Sequence, residues 1–132
     1  MKTGIEDRKN GHKKEWWKVN ELTTHHVHSQ VRFPWLKNLP WNKIKIPRSI
    51  HAAYHIFYNE KPPKEIVPIL CYLYPIDIAF EITKYLNKNL WNNLYKIKRN
   101  KNSISIKLKT HYAEEAAIKK ERWEKIQTKK RR

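Results

Sequence analysis

Between Leu22 and Tyr58 the chain reads as strand, loop, strand and helix in immediate succession, and that order limits its fold more than any other feature. Leu22-Thr23-Thr24-His25-His26-Val27 is short and rich in β-branched residues, which predicts a strand. Lys43-Ile44-Lys45-Ile46 alternates charged and apolar side chains, as a half-buried strand does. The loop between them must turn with Pro34, Asn38 and Pro40, because the chain's two glycines, Gly4 and Gly11, lie far upstream. Pro47 then removes a backbone donor and Ser49 can cap, so a helix is expected from Arg48 or Ser49 through Tyr58.

Lys61-Pro62-Pro63 ends that helix. A second is expected from Pro63, with Glu65 in its first turn. A third follows Pro75, with Ile76, Phe80, Ile82, Tyr85 and Leu86 on its apolar side. Ser103 to Leu108 alternates again and predicts a strand, and Ala113 to Thr128, rich in Ala, Glu, Lys and Arg, predicts a helix with exposed charge. The expected fold class is α+β: a small ββα core followed by helices and a basic C-terminal extension. Six Trp, seven Tyr and three Phe exclude a purely disordered basic tail, and 132 residues exclude a large multidomain enzyme. The most apolar stretch, Ile66 to Ile82, is interrupted by Pro68, Pro75, Asp77 and Glu81 and falls short of the roughly 20 residues that span a bilayer. It reads as core, and no membrane partner is expected. The lone Cys71 excludes an internal disulfide framework and Cys-rich zinc motifs. With no signal-like apolar run in Met1 to Asn20, a reducing, cytoplasmic setting is the expectation.

A formal charge of +17 from 29 basic and 12 acidic residues requires a negative partner. Its distribution suggests three segments. Residues 1–20, a basic N-terminal arm, hold six basic and three acidic residues, and the central domain, 21–93, holds nine and five. Residues 94–132, a basic extension of strand plus helix, hold fourteen and four, and end in Lys129-Lys130-Arg131-Arg132. Such a run neutralises phosphates, so nucleic acid, DNA first, is the expected partner, with affinity that falls steeply with salt. Deleting the chain from about Ala113 is then expected to flatten the salt dependence.

His51 and His55, four apart on a predicted helix, share one face and can hold one metal ion together, although such pairs also occur by chance as surface or half-buried histidines. His25 and His26, adjacent on a predicted strand, point to opposite faces, so one can join the metal while the other works from a different direction. His28 would share the face of His26 if the strand continued, as a third contributor or an exposed residue. Asn42 opens the second strand, and its spacing to His51 favours it over Asn38 as the structural asparagine of the loop.

These residues resemble the HNH endonucleases, also called ββα-metal or His-Me finger nucleases, and in particular the His-His variant of the colicin-type DNases. The likeness lies in Leu22-Thr23-Thr24-His25-His26 and in Asn42 through His55, with intervals of 16, 9 and 4 residues from His26 to Asn42, Asn42 to His51 and His51 to His55. Phe57-Tyr58-Asn59-Glu60-Lys61-Pro62-Pro63 is similar to the small bacterial HNH-like proteins in which an Asn and a Pro-initiated helix follow the last histidine. The resemblance covers residues 21–70. It implies a metal-dependent endonuclease that hydrolyses phosphodiester bonds in DNA. His26 would be the general base, Asn42 would fix its orientation, and His25, His51 and His55 would hold one divalent cation (Mg, Mn, Zn or Ni). Arg48 would contact phosphate. A non-catalytic basic nucleic-acid-binding protein, either a degenerate HNH fold or a ribosome- or nucleoid-associated protein, is the alternative. Trp16, Trp17, Trp35, Trp41, Trp91 and Trp123 can stack on unpaired bases. Trp35 and Trp41 are expected instead to pack the glycine-free loop, and Trp123 either packs back on the domain or faces a partner.

Overall fold

Residues 21–131 are described by a computed structural model, in the order β1 (Leu22–His26), two 3₁₀ turns (Pro34–Leu36 and Pro40–Asn42), β2 (Lys43–Pro47), α1 (Arg48–Tyr58), α2 (Pro63–Leu73), α3 (Ile76–Asn89), β3 (Tyr95–Arg99), β4 (Ile104–Leu108) and α4 (Thr110–Arg131). The class is α+β, with one sheet of β1 and β2 and another of β3 and β4. The N-terminal arm, 1–20, with Trp16 and Trp17, and the terminal Arg132 lie outside the described residues. Among the described residues, no helix is long and apolar enough to cross a membrane. The chain divides into two units by its internal contacts, one of residues 21–25 with 45–59 and the other of residues 26–44 with 60–131.

In the first unit, the Arg48 amide donates to the Glu21 carbonyl at 2.8 Å and the Thr23 hydroxyl to the Ile46 carbonyl at 3.3 Å. Residue numbers that rise on one strand as they fall on the other mark an antiparallel pair. The Arg48 amide is also one of the donors that a helix cannot satisfy internally. Glu21 satisfies it, and the expectation that Ser49 caps the helix is corrected: Pro47, φ −56°, stands at the cap with no side-chain hydrogen bond. Asn59 ends α1 at φ 54°, a sign of φ that asparagine tolerates better than most residues, and its amide donates to the His55 carbonyl at 2.9 Å.

In the second unit, the loop from Val27 to Asn42 turns without glycine. Pro34 and Pro40 each start a 3₁₀ turn, and amides of Leu36, Lys37, Leu39 and Asn42 bond carbonyls three residues back. Ile66, Val67 and Leu70 of α2, Ala79 and Leu86 of α3, and Trp91 and Leu94 form the buried centre. Asn92 and Asn93, at φ 55° and 56°, supply the left-handed turn into β3. The antiparallel hairpin runs Tyr95↔Leu108, Lys96↔Lys107, Ile97↔Ile106 and Arg99↔Ile104. The expected strand over 103–108 is β4, and its partner β3 is an addition to the expected elements.

The described part of residues 94–132, which holds the strand and the helix expected there, belongs to this same unit. The Trp123 ring lies 5.4 Å from that of Trp35, Tyr112 lies 5.2 Å from Trp41, and the Trp41 indole N–H donates to Glu115 at 3.0 Å. Trp123 thus packs back, and a deletion from Ala113 would remove this packing together with the charge. It does not isolate the electrostatic contribution.

Candidate metal centre

The first unit brings three histidines together. His25 is completely buried on β1, while His51 and His55 stand one turn apart on α1 on the same stripe as buried Tyr54. One ring nitrogen from each lies within 4.8 Å of the other two, and these residues can hold a metal ion. The His25 ring meets Tyr54 edge-on at 4.5 Å and lies 5.3 Å from His51 and 6.0 Å from His55.

The hydrogen bonds around the cluster fit a cation. His55 Nδ1 lies 3.2 Å from the Asn59 carbonyl, which can only accept, so Nδ1 carries the proton and Nε2 carries a lone pair. Thr23 Oγ1 stands 2.9 Å from His51 Nδ1 and 3.3 Å from the Ile46 carbonyl; when its proton goes to that carbonyl, His51 Nδ1 donates to it and Nε2 is a lone-pair atom, as a metal ligand requires. The two Nε2 atoms face each other at 2.9 Å. With both rings in that tautomer the lone pairs would repel and a cation between or beside them would relieve it, whereas a proton on one Nε2 makes an N–H···N hydrogen bond of the same length. Ligands about 2.05 Å from a tetrahedral zinc stand about 3.4 Å apart. The 2.9 Å pair and the 4.8 Å limit on the trio bracket that spacing. An imidazole whose second nitrogen donates to a carbonyl or hydroxyl is the usual form of a metal-bound histidine.

Thr23 and Asn59 therefore orient two of the three rings. Neither stands out as a site residue in the sequence. Thr23→Val keeps the β-branched shape and removes the hydroxyl, and metal affinity is expected to fall by about 10–100-fold, measured by calorimetric titration.

In the second unit, His26 is half-buried and Asn42 is fully buried. Burial holds the His26 pKa below its ordinary value. A hydrogen bond to the Lys37 backbone opposes that shift, and the charges of Lys43 and Lys37 add to it. A ring that is neutral and tied at one nitrogen keeps a lone pair on the other. Asn42 Nδ2 donates to the carbonyls of His28 at 3.0 Å and Leu36 at 3.1 Å, and Oδ1 accepts from the His28 amide at 2.8 Å. It pins the loop beside Lys37, whose backbone holds His26. Asn38, the competing candidate, is exposed.

His28 is neither a strand-face partner of His26 nor exposed, because β1 ends at His26. It is buried, with Nδ1 at 3.1 Å from Asn42 Oδ1 and Nε2 at 2.5 Å from the Tyr95 hydroxyl. Arg48 is exposed at the start of α1, and Lys129, Lys130 and Arg131 are exposed on the last turn of α4. Compared with protein-family models, curated proteins and solved structures, the chain has no match.

Proposed function

We propose that the protein is a metal-dependent endonuclease that hydrolyses phosphodiester bonds in DNA with one divalent cation. The observation that carries this reading is the convergence of His25, His51 and His55, whose ring nitrogens lie within 4.8 Å of one another. A divalent cation at these histidines would polarise the scissile phosphate and stabilise negative charge on the leaving oxygen. His26, the next residue along β1 after His25, takes the proton from the attacking water. Its lowered pKa keeps it unprotonated at neutral pH, as a general base requires. Asn42 keeps the loop that carries the Lys37 backbone in place, and so keeps the base aimed. Arg48, at the start of α1, offers a planar fork to a phosphate.

The test is nicking of a supercoiled plasmid with Mg²⁺, Mn²⁺, Ni²⁺ or Zn²⁺, beside a His26→Ala protein. Loss of the base is expected to slow nicking by about 10²–10⁴-fold while leaving metal binding unchanged. Metal-loaded protein that binds DNA and nicks no faster than this variant is instead a non-catalytic nucleic-acid-binding protein.

Exposed Lys129, Lys130 and Arg131 supply sequence-independent grip in this reading. Replacing all three by Gln avoids the packing that a truncation would break. Duplex affinity plotted against salt on logarithmic axes is expected to flatten by about 0.9 for each phosphate that is no longer neutralised, measured by fluorescence anisotropy. An unchanged slope would place the grip elsewhere.

A further inference from the structure

The β3–β4 hairpin has two unlike faces. Its register sets Tyr95, Ile97, Ile104, Ile106 and Leu108 on one side and Lys96, Lys98, Ser105 and Lys107 on the other, because neighbours along a strand point opposite ways. The first set is buried or half-buried, with α2 packed against β4 and α3 against β3. The second set is entirely exposed. Arg99 falls on the inner side, where it is ion-paired with Asp77 of α3. Among the described residues, the outward Lys96, Lys98 and Lys107 form no ion pair.

Residues 95–109 hold six basic residues and no acidic one. Lys96 and Lys107 are direct cross-strand partners, and like charges in that relation destabilise a hairpin. Folding alone would favour an acid at either position, so the row is set out for a polyanion outside the chain. The makeup of the face says which one. None of its four side chains is aromatic, as stacking on an unpaired base requires, and none is apolar, as entry into a lipid surface requires. It offers three ammonium groups on long flexible stems and one hydroxyl. Lysines of this kind meet phosphates and not base edges. The backbone supplies the fit: paired strands lie about 4.8 Å apart, and the major groove of B-form DNA, about 12 Å wide, admits a two-stranded ribbon. The deep, narrow major groove of duplex RNA does not.

We propose that the outward face of the hairpin binds duplex DNA, with the ribbon along the major groove and Lys96, Lys98 and Lys107 on the phosphates at its edges. The inference shares its partner with the proposed function and adds a surface to it. It depends neither on the metal centre nor on Lys129, Lys130 and Arg131.

The test uses the full chain in EDTA and a fluorescent DNA duplex of about 20 base pairs, with affinity read by anisotropy across a range of salt. In Lys96→Gln/Lys98→Gln/Lys107→Gln, the logarithmic salt slope is expected to flatten by about 2.7, at about 0.9 per phosphate. Lys64→Gln/Lys88→Gln removes charge from exposed positions on α2 and α3 and is expected to change the slope by less than about one. Lys96→Glu turns the like pair with Lys107 into an opposite one, so the melting temperature is expected to rise while duplex affinity falls. Weaker binding by a more stable protein does not come from misfolding. A single strand of the same sequence is expected to bind less tightly than the duplex. An unchanged slope in the triple variant, an equal loss in the α2 and α3 variant, tighter binding of the single strand, or binding to phosphatidylserine vesicles in place of DNA would overturn the proposal. Because EDTA removes metal, failure here leaves the nicking result standing. Conversely, a His51→Ala protein that cannot nick is still expected to bind the duplex through the hairpin.

Discussion

Replacing His51 by Ala is expected to raise the dissociation constant for zinc by on the order of 100-fold or more, and to abolish the metal-induced rise in melting temperature. Structural zinc sites are worth about 10–16 kcal/mol over four ligands, so one nitrogen contributes about 3 kcal/mol or more. That is at least two decades in affinity. The loss at His51 should be larger than the average, because the Thr23 hydroxyl, 2.9 Å from Nδ1, already holds the orientation of its ring. Linkage gives an independent readout: metal at about 1,000 times its dissociation constant stabilises the fold by about 4 kcal/mol. Calorimetric titration and thermal melts with and without zinc measure both quantities. His111→Ala, an exposed histidine on α4, is the control and is expected to bind like the wild type. Wild-type affinity in His51→Ala would remove the cluster as the metal site.

The helices are legible wherever proline marks a boundary. Pro47, Pro63 and Pro75 stand at or next to the starts of α1, α2 and α3, and a ring that fixes φ and lacks a donor has the same local effect whatever surrounds it. β3 is not legible, although Tyr95 to Arg99 alternates, because its charged residues gain strand character only by pairing with β4. α4 reads as an extension for a related reason. Its half-buried residues include Tyr112, Ala116, Lys119 and Trp123, a helical stripe with few large apolar members and dense charge on either side.

At the metal centre, the His51 and His55 spacing is a local property of a helix and can be read directly. That His25 joins them depends on how the β1–β2 strands lead into α1. Thr23 and Asn59 are not legible because they act through a hydroxyl and a backbone carbonyl, which no residue pattern marks. His28 is misplaced by the sequence pattern because period-two reasoning stops where a strand stops: Val27, His28 and Ser29 are all buried in sequence just beyond β1.

Asn42→Ala is expected to cost about 3 kcal/mol or more in stability, because this one side chain completes four buried hydrogen bonds to His28 and Leu36. Each buried partner left unsatisfied costs about 1–3 kcal/mol, and alanine offers none of them a replacement. A domain of this size has only about 5–15 kcal/mol in total, so the urea midpoint should fall markedly. The same network sets a pH limit. His28 Nδ1 donates to Asn42 and its Nε2 accepts from the Tyr95 hydroxyl, so the neutral ring is satisfied on both sides. Burial pushes its pKa below the ordinary value of 6.5, although the bond to Asn42 acts in the opposite direction. A histidine with a depressed folded pKa contributes its full stability above about 6.5. That contribution is lost as pH falls toward the folded value, by at most about 1.4 kcal/mol per pH unit, because only the unfolded chain takes up the proton. Urea titrations at about pH 7.5, 6.0 and 5.0 should therefore show wild-type stability declining below about 6.5 more steeply than that of His28→Gln; parallel curves would mean that His28 stays solvated. An Asn42→Ala protein that denatures like the wild type yet no longer nicks DNA would move Asn42 from holding the loop to meeting the substrate.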